Sequence, residues 1–253
     1  METESLSLRI DDTSIENVIF FGTRHFSRDT REVEKKFRNE LTKCDYLLLE
    51  GAKKQLEVAS LLNLRGFETI AFKENVPKYF LENDYKIEKI VQKYGLRSDL
   101  YSLLDSLHLL KPEYDIPRKV LDNIDSHFNT KLLVGDSITN PDKEKADLYK
   151  TIRIFQRDDF HDKFQFLNHF SNELLSYVAS IRDYEIMGPN IRNLIDSLEG
   201  KKGIIVGKAH VNNLIDCFYD RMKKPVDFNN YLSTFPKQYK ETIDIINKEI
   251  LNN

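Results

Sequence analysis

The chain has 253 residues, of which 40% are hydrophobic and 31% are charged. This composition is typical of a soluble globular protein and argues against a disordered, fibrous or membrane-spanning chain. The 38 basic residues nearly balance the 41 acidic ones, for a formal net charge of −3, so no global attraction to nucleic acid or a membrane surface is expected. With only two cysteines, and an acidic N-terminus that lacks a secretory pattern, the sequence predicts a reduced, cytoplasmic protein.

In chain order, strands alternate with helices. Short apolar runs predict strands buried on both faces, at residues 17–21, 45–49, 131–134 and 203–206. Apolar residues at three- and four-residue spacing predict helices, at residues 31–42, 82–110, 159–181, 191–198 and 239–250. The alternation favours an α/β fold with a mostly parallel central sheet flanked by helices.

No proline- or glycine-rich linker divides the chain. The sequence therefore predicts a single domain over residues 1–253, with a helical insertion at about residues 70–129. A division into two smaller domains is the alternative, because the length suits either arrangement.

The first and last of the predicted strands continue into the same pattern, which is a glycine, two further residues and a histidine. The two copies are Gly22-Thr23-Arg24-His25 and Gly207-Lys208-Ala209-His210. Glycine after a strand permits a sharp turn or the close approach of a ligand. Each histidine follows the carboxyl end of a strand, and that edge of an α/β sheet is where ligands bind. Two imidazoles at one edge can bind a metal ion or share acid–base chemistry.

Acidic and basic side chains follow other predicted elements. Glu50 comes directly after the second buried run, where a carboxylate needs a partner to offset its desolvation. If that strand neighbours the first, Glu50 lies beside His25, and these two with His210 form a typical catalytic metal set. The same three residues also suit metal-free acid–base catalysis. Arg182, after the long helix, is placed to hold Glu50 or to stabilise an oxyanion. A helix-capping role for Glu50 and a local pair between Arg182 and Glu185 remain open.

The four stretches GTRH, LLLEG, RDYEIM and VGKAH, in this order, resemble the TIKI/TraB/GumN group and the related ChaN-like and erythromycin-esterase-like proteins. The resemblance is confined to these motifs, and residues 68–170 match no family. It implies an α/β fold with two related halves, each containing a GxxH motif. It also implies a hydrolase-like site built from His25, Glu50, Arg182 and His210, and we expect Asp183 to orient the arginine.

TIKI-type members of this group are regarded as metal-dependent proteases, and erythromycin-esterase-like members as metal-free esterases. The resemblance therefore implies hydrolysis of a peptide, ester or related bond in a peptide or small-molecule substrate. A divalent ion such as Mn²⁺, Co²⁺ or Zn²⁺ would be held by His25, Glu50 and His210.

Two departures from the family pattern bear on this expectation. Pro189 follows Gly188 where the family helix continues, so the helix is expected to break or restart there. Arg24 and Lys208 add cations inside the GxxH motifs, and these either favour an anionic substrate or point away into solvent. Together with the two motif glycines, Gly22 and Gly207, these cations are the predicted substrate contacts.

Other functional classes remain as alternatives. One is a haem- or metal-binding module without turnover, similar to ChaN-like members. Another is an interaction or effector protein on a degenerate fold of this type, acting through residues 68–170. The sequence contains no GxSxG nucleophile motif and no glycine-rich nucleotide motif, and neither nucleic acid nor a membrane is an expected partner.

Overall fold

The structure is a computed structural model that describes residues 10–15, 17–23, 31–61, 67–82, 87–110, 140–155 and 161–251. The chain packs as two compact units. Unit 1 is drawn from residues 1–85 and 182–223, and unit 2 from residues 86–181 and 224–253. The division into two compact units does not test whether the chain folds as one domain. The single domain therefore stays a prediction.

The described strands all belong to one sheet in unit 1. They are β1 (Ile10–Ile15), β2 (Val18–Thr23), β3 (Tyr46–Leu49), β4 (Lys78–Phe80) and β5 (Lys202–Gly207). Their order across the sheet is β1-β2-β5-β3-β4, in which β2, β5, β3 and β4 run parallel and β1 runs antiparallel to β2. The predicted α/β fold with a mostly parallel sheet flanked by helices is confirmed.

The described helices fall in both units. In chain order they are α1 (Arg31–Leu41), α2 (Lys53–Leu61), α3 (Phe67–Lys73), α4 (Ile87–Lys93), α5 (Ser98–Leu110), α6 (Pro141–Phe155), α7 (His161–Arg182), α8 (Gly188–Ser197), α9 (Lys208–Phe218), α10 (Phe228–Ser233) and α11 (Lys237–Ile246). Two π-helices follow α7 and α11 directly, at Asp183–Met187 and Asn247–Leu251.

The sheet is covered on both faces because its parallel strands are apolar on both. One face, with Phe20, Leu48 and Ile204, packs against the first π-helix, α8 and α9. The other face, with Phe21 and Ile205, packs against α1, α2 and α3. The central strand β5 is buried along its whole length, which accounts for its unbroken apolar sequence.

Three of the four predicted strands are confirmed, and the described residues include two further strands that were not predicted. The runs at 17–21, 45–49 and 203–206 are confirmed as β2, β3 and β5, whereas the run at 131–134 lies outside the described residues. β1 was not predicted, because its sequence IDDTSI is too polar to read as a buried strand. β4 was not predicted either, because it has three residues and falls inside the interval expected to be a helical insertion.

The register of the sheet places the carboxyl ends of the parallel strands at one edge. Thr23 of β2 pairs with Gly207 of β5, and Leu49 of β3 pairs with both Ile205 and Phe80. β5 therefore lies between β2 and β3. Glu50 follows β3, so its strand neighbours the second GxxH motif rather than the first, contrary to the pairing considered from the sequence.

Unit 2 is helical in its described residues and has an aromatic core. Tyr177 of α7 stacks on Tyr231 of α10 with ring centroids 4.2 Å apart, and Phe170 packs edge-on against Phe235 and Tyr239. The Tyr177 hydroxyl donates to the carbonyl of Val226 at 2.8 Å. In the part of the chain that the structure describes, no helix has the length and apolar character needed to cross a membrane.

Candidate functional site

Glu50 lies at the carboxyl edge of the sheet and is almost fully enclosed, with 6% of its surface exposed. Its backbone N–H donates to the Ile205 carbonyl at 2.9 Å, which continues the β3–β5 pairing by one residue. Its Oε2 accepts the Gly207 N–H at 2.5 Å, and its Oε1 accepts Arg182 Nη2–H at 3.1 Å. Gly51, with φ of +93°, then turns the chain away. These donors offset the desolvation of the carboxylate, so Glu50 acts here as an ionic partner rather than as a helix cap.

Arg182 joins two glutamates that follow neighbouring strands. Its Nε–H and Nη2–H both donate to Oε1 of Glu82, at 2.9 and 2.7 Å, and Nη2 also reaches Glu50. Glu82 lies two residues beyond β4 and is 8% exposed. The predicted contact between Arg182 and Glu50 is therefore present, and it is shared with a second carboxylate that the sequence did not indicate.

The two consecutive site residues Arg182 and Asp183 lie where α7 ends and a π-helix begins. The backbone N–H of Gly188 bonds to the carbonyl of Asp183, five residues back, and the segment Asp183–Met187 is wound in this wider geometry. π-helices occur mostly as single turns within α-helices and frequently at functional sites. Helix α8 begins at Gly188, with Pro189 in its first turn, where the missing N–H of proline costs no hydrogen bond. The helix restart predicted at Pro189 is therefore a change from the π-helix at Asp183–Met187 to the α-helix α8.

Asp183 is completely buried and clamped by two residues of α9. Its Oδ1 lies 2.7 Å from His210 Nδ1, and its Oδ2 accepts from Asn213 Nδ2 at 2.8 Å. His210 and Asn213 are three residues apart on one helix face, so both can reach a single carboxylate. We expected Asp183 to orient Arg182, but its hydrogen bonds instead orient the imidazole of His210.

His210 bridges two carboxylates. Its Nε2 lies 3.3 Å from Glu50 Oε1, opposite the contact of Nδ1 with Asp183. Because both partners can only accept when ionised, the protonated ring, which donates from both nitrogens, satisfies them best. Burial alone lowers the pKa of His210, but the Glu50 charge and the hydrogen bonds to Asp183 and Glu50 outweigh it and raise the pKa to about 9. Burial raises the pKa of Asp183, against the opposing effect of its hydrogen bonds with His210 and Asn213.

The structure describes some of the remaining predicted site residues and not others. His25 and Arg24 lie outside the described residues. Gly22 has a packing role, because a Cβ there would lie 3.0 Å from Val211 Cγ2 and would push α9 away from β2. Lys208 is exposed at the first residue of α9. Gly207 reaches the site through its backbone N–H, which bonds to Glu50.

Sequence reasoning missed two residues of this cluster, Glu82 and Asn213. Glu82 follows the buried Leu81 just as Glu50 follows Leu49, but a strand of three residues gives too little pattern to indicate its edge. Asn213 lies one helical turn after His210, so the helical spacing alone could have suggested it.

Two of the three predicted metal ligands are brought together. The 3.3 Å between His210 Nε2 and Glu50 Oε1 suits two ligand atoms that each lie about 2.1 Å from one ion. Asp183 on Nδ1 is the kind of carboxylate partner that orients a metal-bound histidine. Among the described residues no group of three or more His, Cys, Asp or Glu side chains is arranged to hold a metal ion, and the third predicted ligand, His25, lies outside them.

The fold and the site define an α/β protein with a buried cluster of ionisable groups at the carboxyl edge of its parallel sheet. Comparison with protein-family models, with curated proteins and with solved structures finds no match for this chain. The resemblance to the TIKI/TraB/GumN group consequently stays a prediction that depends on the four motifs.

Proposed function

We propose that this chain is a hydrolase in which the Glu50–His210 pair activates water to cleave a peptide, ester or related bond. The observation that carries the proposal is the buried series of contacts from Asp183 through His210 to Glu50. Buried ionisable groups with specific charge partners are characteristic of functional sites. The cluster also lies at the carboxyl edge of parallel strands, where α/β proteins bind their ligands.

Each residue has a defined part in this proposal. Asp183 fixes the Nδ1–H of His210 and so turns Nε2 toward Glu50. Glu50 accepts a proton from the attacking water, and protonated His210 donates its Nε2 proton to the leaving group of the substrate. Arg182, held beside Glu50, supplies positive charge close to where negative charge develops on the substrate. The Gly207 N–H keeps the Glu50 carboxylate in place across the end of β5.

The charge of the cluster supports a bound cation. Glu50, Glu82 and Asp183 supply three carboxylates, whereas Arg182 and protonated His210 supply two positive charges. Glu50 and His210, joined by His25, would hold a divalent ion, which lowers the pKa of its bound water and polarises a carbonyl group. Binding of the ion requires release of the Nε2 proton, so the proton and the cation compete for one position.

A hydrolysis assay with matched variants tests the proposal. Purified protein is supplied with Mn²⁺, Co²⁺ or Zn²⁺, or with chelator, and assayed on fluorogenic casein and on nitrophenyl esters. We expect hydrolysis that Glu50→Gln and His210→Gln each reduce at least about 100-fold. Glu74→Gln, which removes a carboxylate from the separate Arg38–Glu74 pair, is expected to leave the rate unchanged.

Two results would contradict the hydrolase proposal. One is full retention of hydrolysis in both site variants, with folding checked by circular dichroism. The other is a protein that hydrolyses nothing in the panel but develops a Soret band on titration with haem, lost in His210→Gln. That result would favour the alternative function, a haem-binding module without turnover.

We also propose the cytoplasmic location that the sequence predicts. Cys44 and Cys217 are both free and buried thiols, which is the usual state of cysteines in a reducing compartment. Fractionation of cells that produce the full chain tests this, and recovery from the medium or the membrane fraction would contradict it.

A further inference from the structure

The last peptide group of β5, between Val206 and Gly207, is hydrogen-bonded to a side chain at each end. Its N–H donates to Oε2 of Glu50 at 2.5 Å, on the side of β3. Its carbonyl oxygen accepts from the Thr23 hydroxyl at 3.1 Å, on the side of β2. Because a trans peptide is planar and its C=O and N–H point in opposite directions, one rigid group joins the two contacts. Thr23 and Glu50 are therefore connected across β5 by a single peptide.

The Thr23 hydroxyl has a fixed position. Thr23 is the last residue of β2, pairs with Gly207 in the sheet register, and is buried. Its Oγ1 also hydrogen-bonds to Oε1 of Glu68, a buried carboxylate in the first turn of α3. A hydroxyl has one proton, so the Val206 carbonyl and the Glu68 carboxylate share it. Two acceptors on opposite sides of a β-branched side chain hold it in one rotamer.

The contact of Thr23 with the peptide affects the hydrogen bond that holds Glu50. Hydrogen bonds in series polarise one another, most strongly where water is excluded. An amide whose carbonyl accepts a hydrogen bond is the stronger N–H donor, so Thr23 strengthens the bond from Gly207 to Glu50. That bond fixes one carboxylate oxygen of Glu50, and the other oxygen contacts His210 and Arg182.

We propose that Thr23 is a positioning residue for Glu50, and this inference rests on the proposed function. Through the Val206–Gly207 peptide, the Thr23 hydroxyl holds the Glu50 carboxylate in the orientation that serves hydrolysis. Thr23 acts on the carboxylate and not on the binding of substrate. Its loss is therefore expected to lower kcat and to leave KM unchanged.

A purely structural role for Thr23 makes a different prediction. A hydroxyl that only satisfies the buried Val206 carbonyl contributes to the free energy of unfolding, but not to the kcat of the folded protein. Thr23→Val and Thr23→Ser separate the two roles. Valine keeps the shape of threonine and removes the hydroxyl, whereas serine keeps the hydroxyl and removes the methyl group. Thr23→Ala is a second variant without the hydroxyl, should the valine variant unfold.

Isotope labelling makes the N–H of Gly207 directly observable. A valine followed by a glycine occurs only at residues 134–135 and 206–207 of the sequence. Full chain labelled with ¹³C-carbonyl valine and ¹⁵N-glycine therefore gives two signals in an NMR experiment that correlates a carbonyl with the next amide. Gly135→Ala removes one of these signals and so assigns the other to Gly207.

The amide proton shift of Gly207 reports the strength of its hydrogen bond to Glu50. We expect Thr23→Val to move this signal upfield by about a tenth to a third of the change that Glu50→Gln causes. Thr23→Ser is expected to keep the wild-type position. Thr151→Val is the matched control, because Thr151 is also buried and its hydroxyl donates to a backbone carbonyl, that of Asp147.

The hydrolysis assay then measures whether this connection contributes to catalysis. We expect Thr23→Val to lower kcat at least about fivefold, with KM changed less than about twofold. Thr23→Ser is expected to recover most of the lost rate. The control Thr151→Val is expected to change neither the Gly207 signal nor kcat.

Three outcomes would overturn the inference. A Gly207 signal that stays in place in Thr23→Val shows that the threonine does not strengthen the bond to Glu50. A shifted signal with unchanged kcat, in a protein whose hydrolysis is lost in Glu50→Gln, shows that the role of Thr23 is purely structural. Absence of hydrolysis in the wild type contradicts the proposed function and, with it, the role of Thr23 in catalysis, whereas the NMR result still reports the connection to Glu50.

Discussion

Asp183 Oδ1 lies 2.7 Å from Nδ1 of His210, and the carboxylate that makes this contact is fully buried. The other oxygen of Asp183 is occupied by Asn213, from the same face of α9. The imidazole therefore has one orientation, in which Nε2 faces Glu50. Asp183 is the first residue of the π-helix, and the preceding residue, Arg182, contacts the two glutamates.

Replacing Asp183 with asparagine tests what this pair contributes to the proton affinity of His210. The hydrogen bond to Asp183 is one of the causes that raise the pKa of His210 to about 9, so in Asp183→Asn the pKa is expected to fall toward about 6.5. The shift is measured by NMR titration of the imidazole in the presence of chelator. Asp216→Asn, on the same helix but in an exposed pair with Arg221, is the control, and equal shifts in both variants would contradict the account.

Protonated His210 also predicts how stability depends on pH. The pKa of His210 in the folded protein is raised to about 9, so protonation of His210 stabilises the protein fully below about pH 6.5. This contribution to stability is lost as the pH rises through 9. With chelator present, the free energy of unfolding in urea is expected to fall by up to about 3 kcal/mol between pH 6.5 and pH 9.5. His210→Gln should flatten this dependence. The same slope in the wild type and in the variant would show that other groups cause it.

The two cysteines are expected to be unreactive in the folded protein. Burial raises the pKa of both Cys44 and Cys217 to about 11, so little thiolate forms at pH 8. Ellman's reagent at pH 8 should therefore react at least about 100-fold more slowly with the native protein than with the protein unfolded in guanidinium. Rapid titration of either thiol in the native state would contradict the buried positions of these side chains.

Gly188 is required by close packing rather than by backbone conformation. Its φ is −61°, yet a Cβ there would lie 2.6 Å from Cys217 Sγ and 2.7 Å from the Asp183 carbonyl oxygen. We expect Gly188→Ala to lower the free energy of unfolding by at least about 2 kcal/mol, because neither α9 nor the π-helix can yield without disturbing the site. Equilibrium urea denaturation measures this change.

Gly51→Ala is the comparison for Gly188→Ala within the same unit. Gly51 has φ of +93°, and a methyl group at this position would meet only ordinary contacts at 3.8 Å, so the cost of the substitution is backbone strain of about 1–2 kcal/mol. A loss below about 0.5 kcal/mol in Gly188→Ala would contradict the packing described here.

Much of the fold could be predicted because β2, β3 and β5 are apolar on both sides and the helices have regular spacing. The site was predicted in part for the same reason, since Glu50 directly follows β3 and His210 lies three residues beyond the end of β5. The order of the strands could not be predicted, because nothing in the sequence indicates that β5 inserts between β2 and β3. The condition under which Glu50 would lie beside His25, that β3 neighbours β2, is therefore not met.

The roles of Asp183 and Glu82 needed the three-dimensional structure. From the sequence, Asp183 was expected to orient its neighbour Arg182. Consecutive residues of a helix project in different directions, and in the structure the two side chains have different partners. Neither the π-helix that begins at Asp183 nor the contact of Asp183 with His210 has a signature in the sequence. Glu82 follows a strand of three residues, too short for its apolar pattern to be distinguished from a helix.

Metal content tests the central claim most directly. The full chain is purified without chelator from cells supplied with manganese, cobalt and zinc, and its metal is measured by inductively coupled plasma mass spectrometry. The account predicts a nearly stoichiometric divalent metal in the wild type and in Glu74→Gln, lost in both Glu50→Gln and His210→Gln. A metal content that is the same in all four proteins, or absent from the wild type, would contradict it.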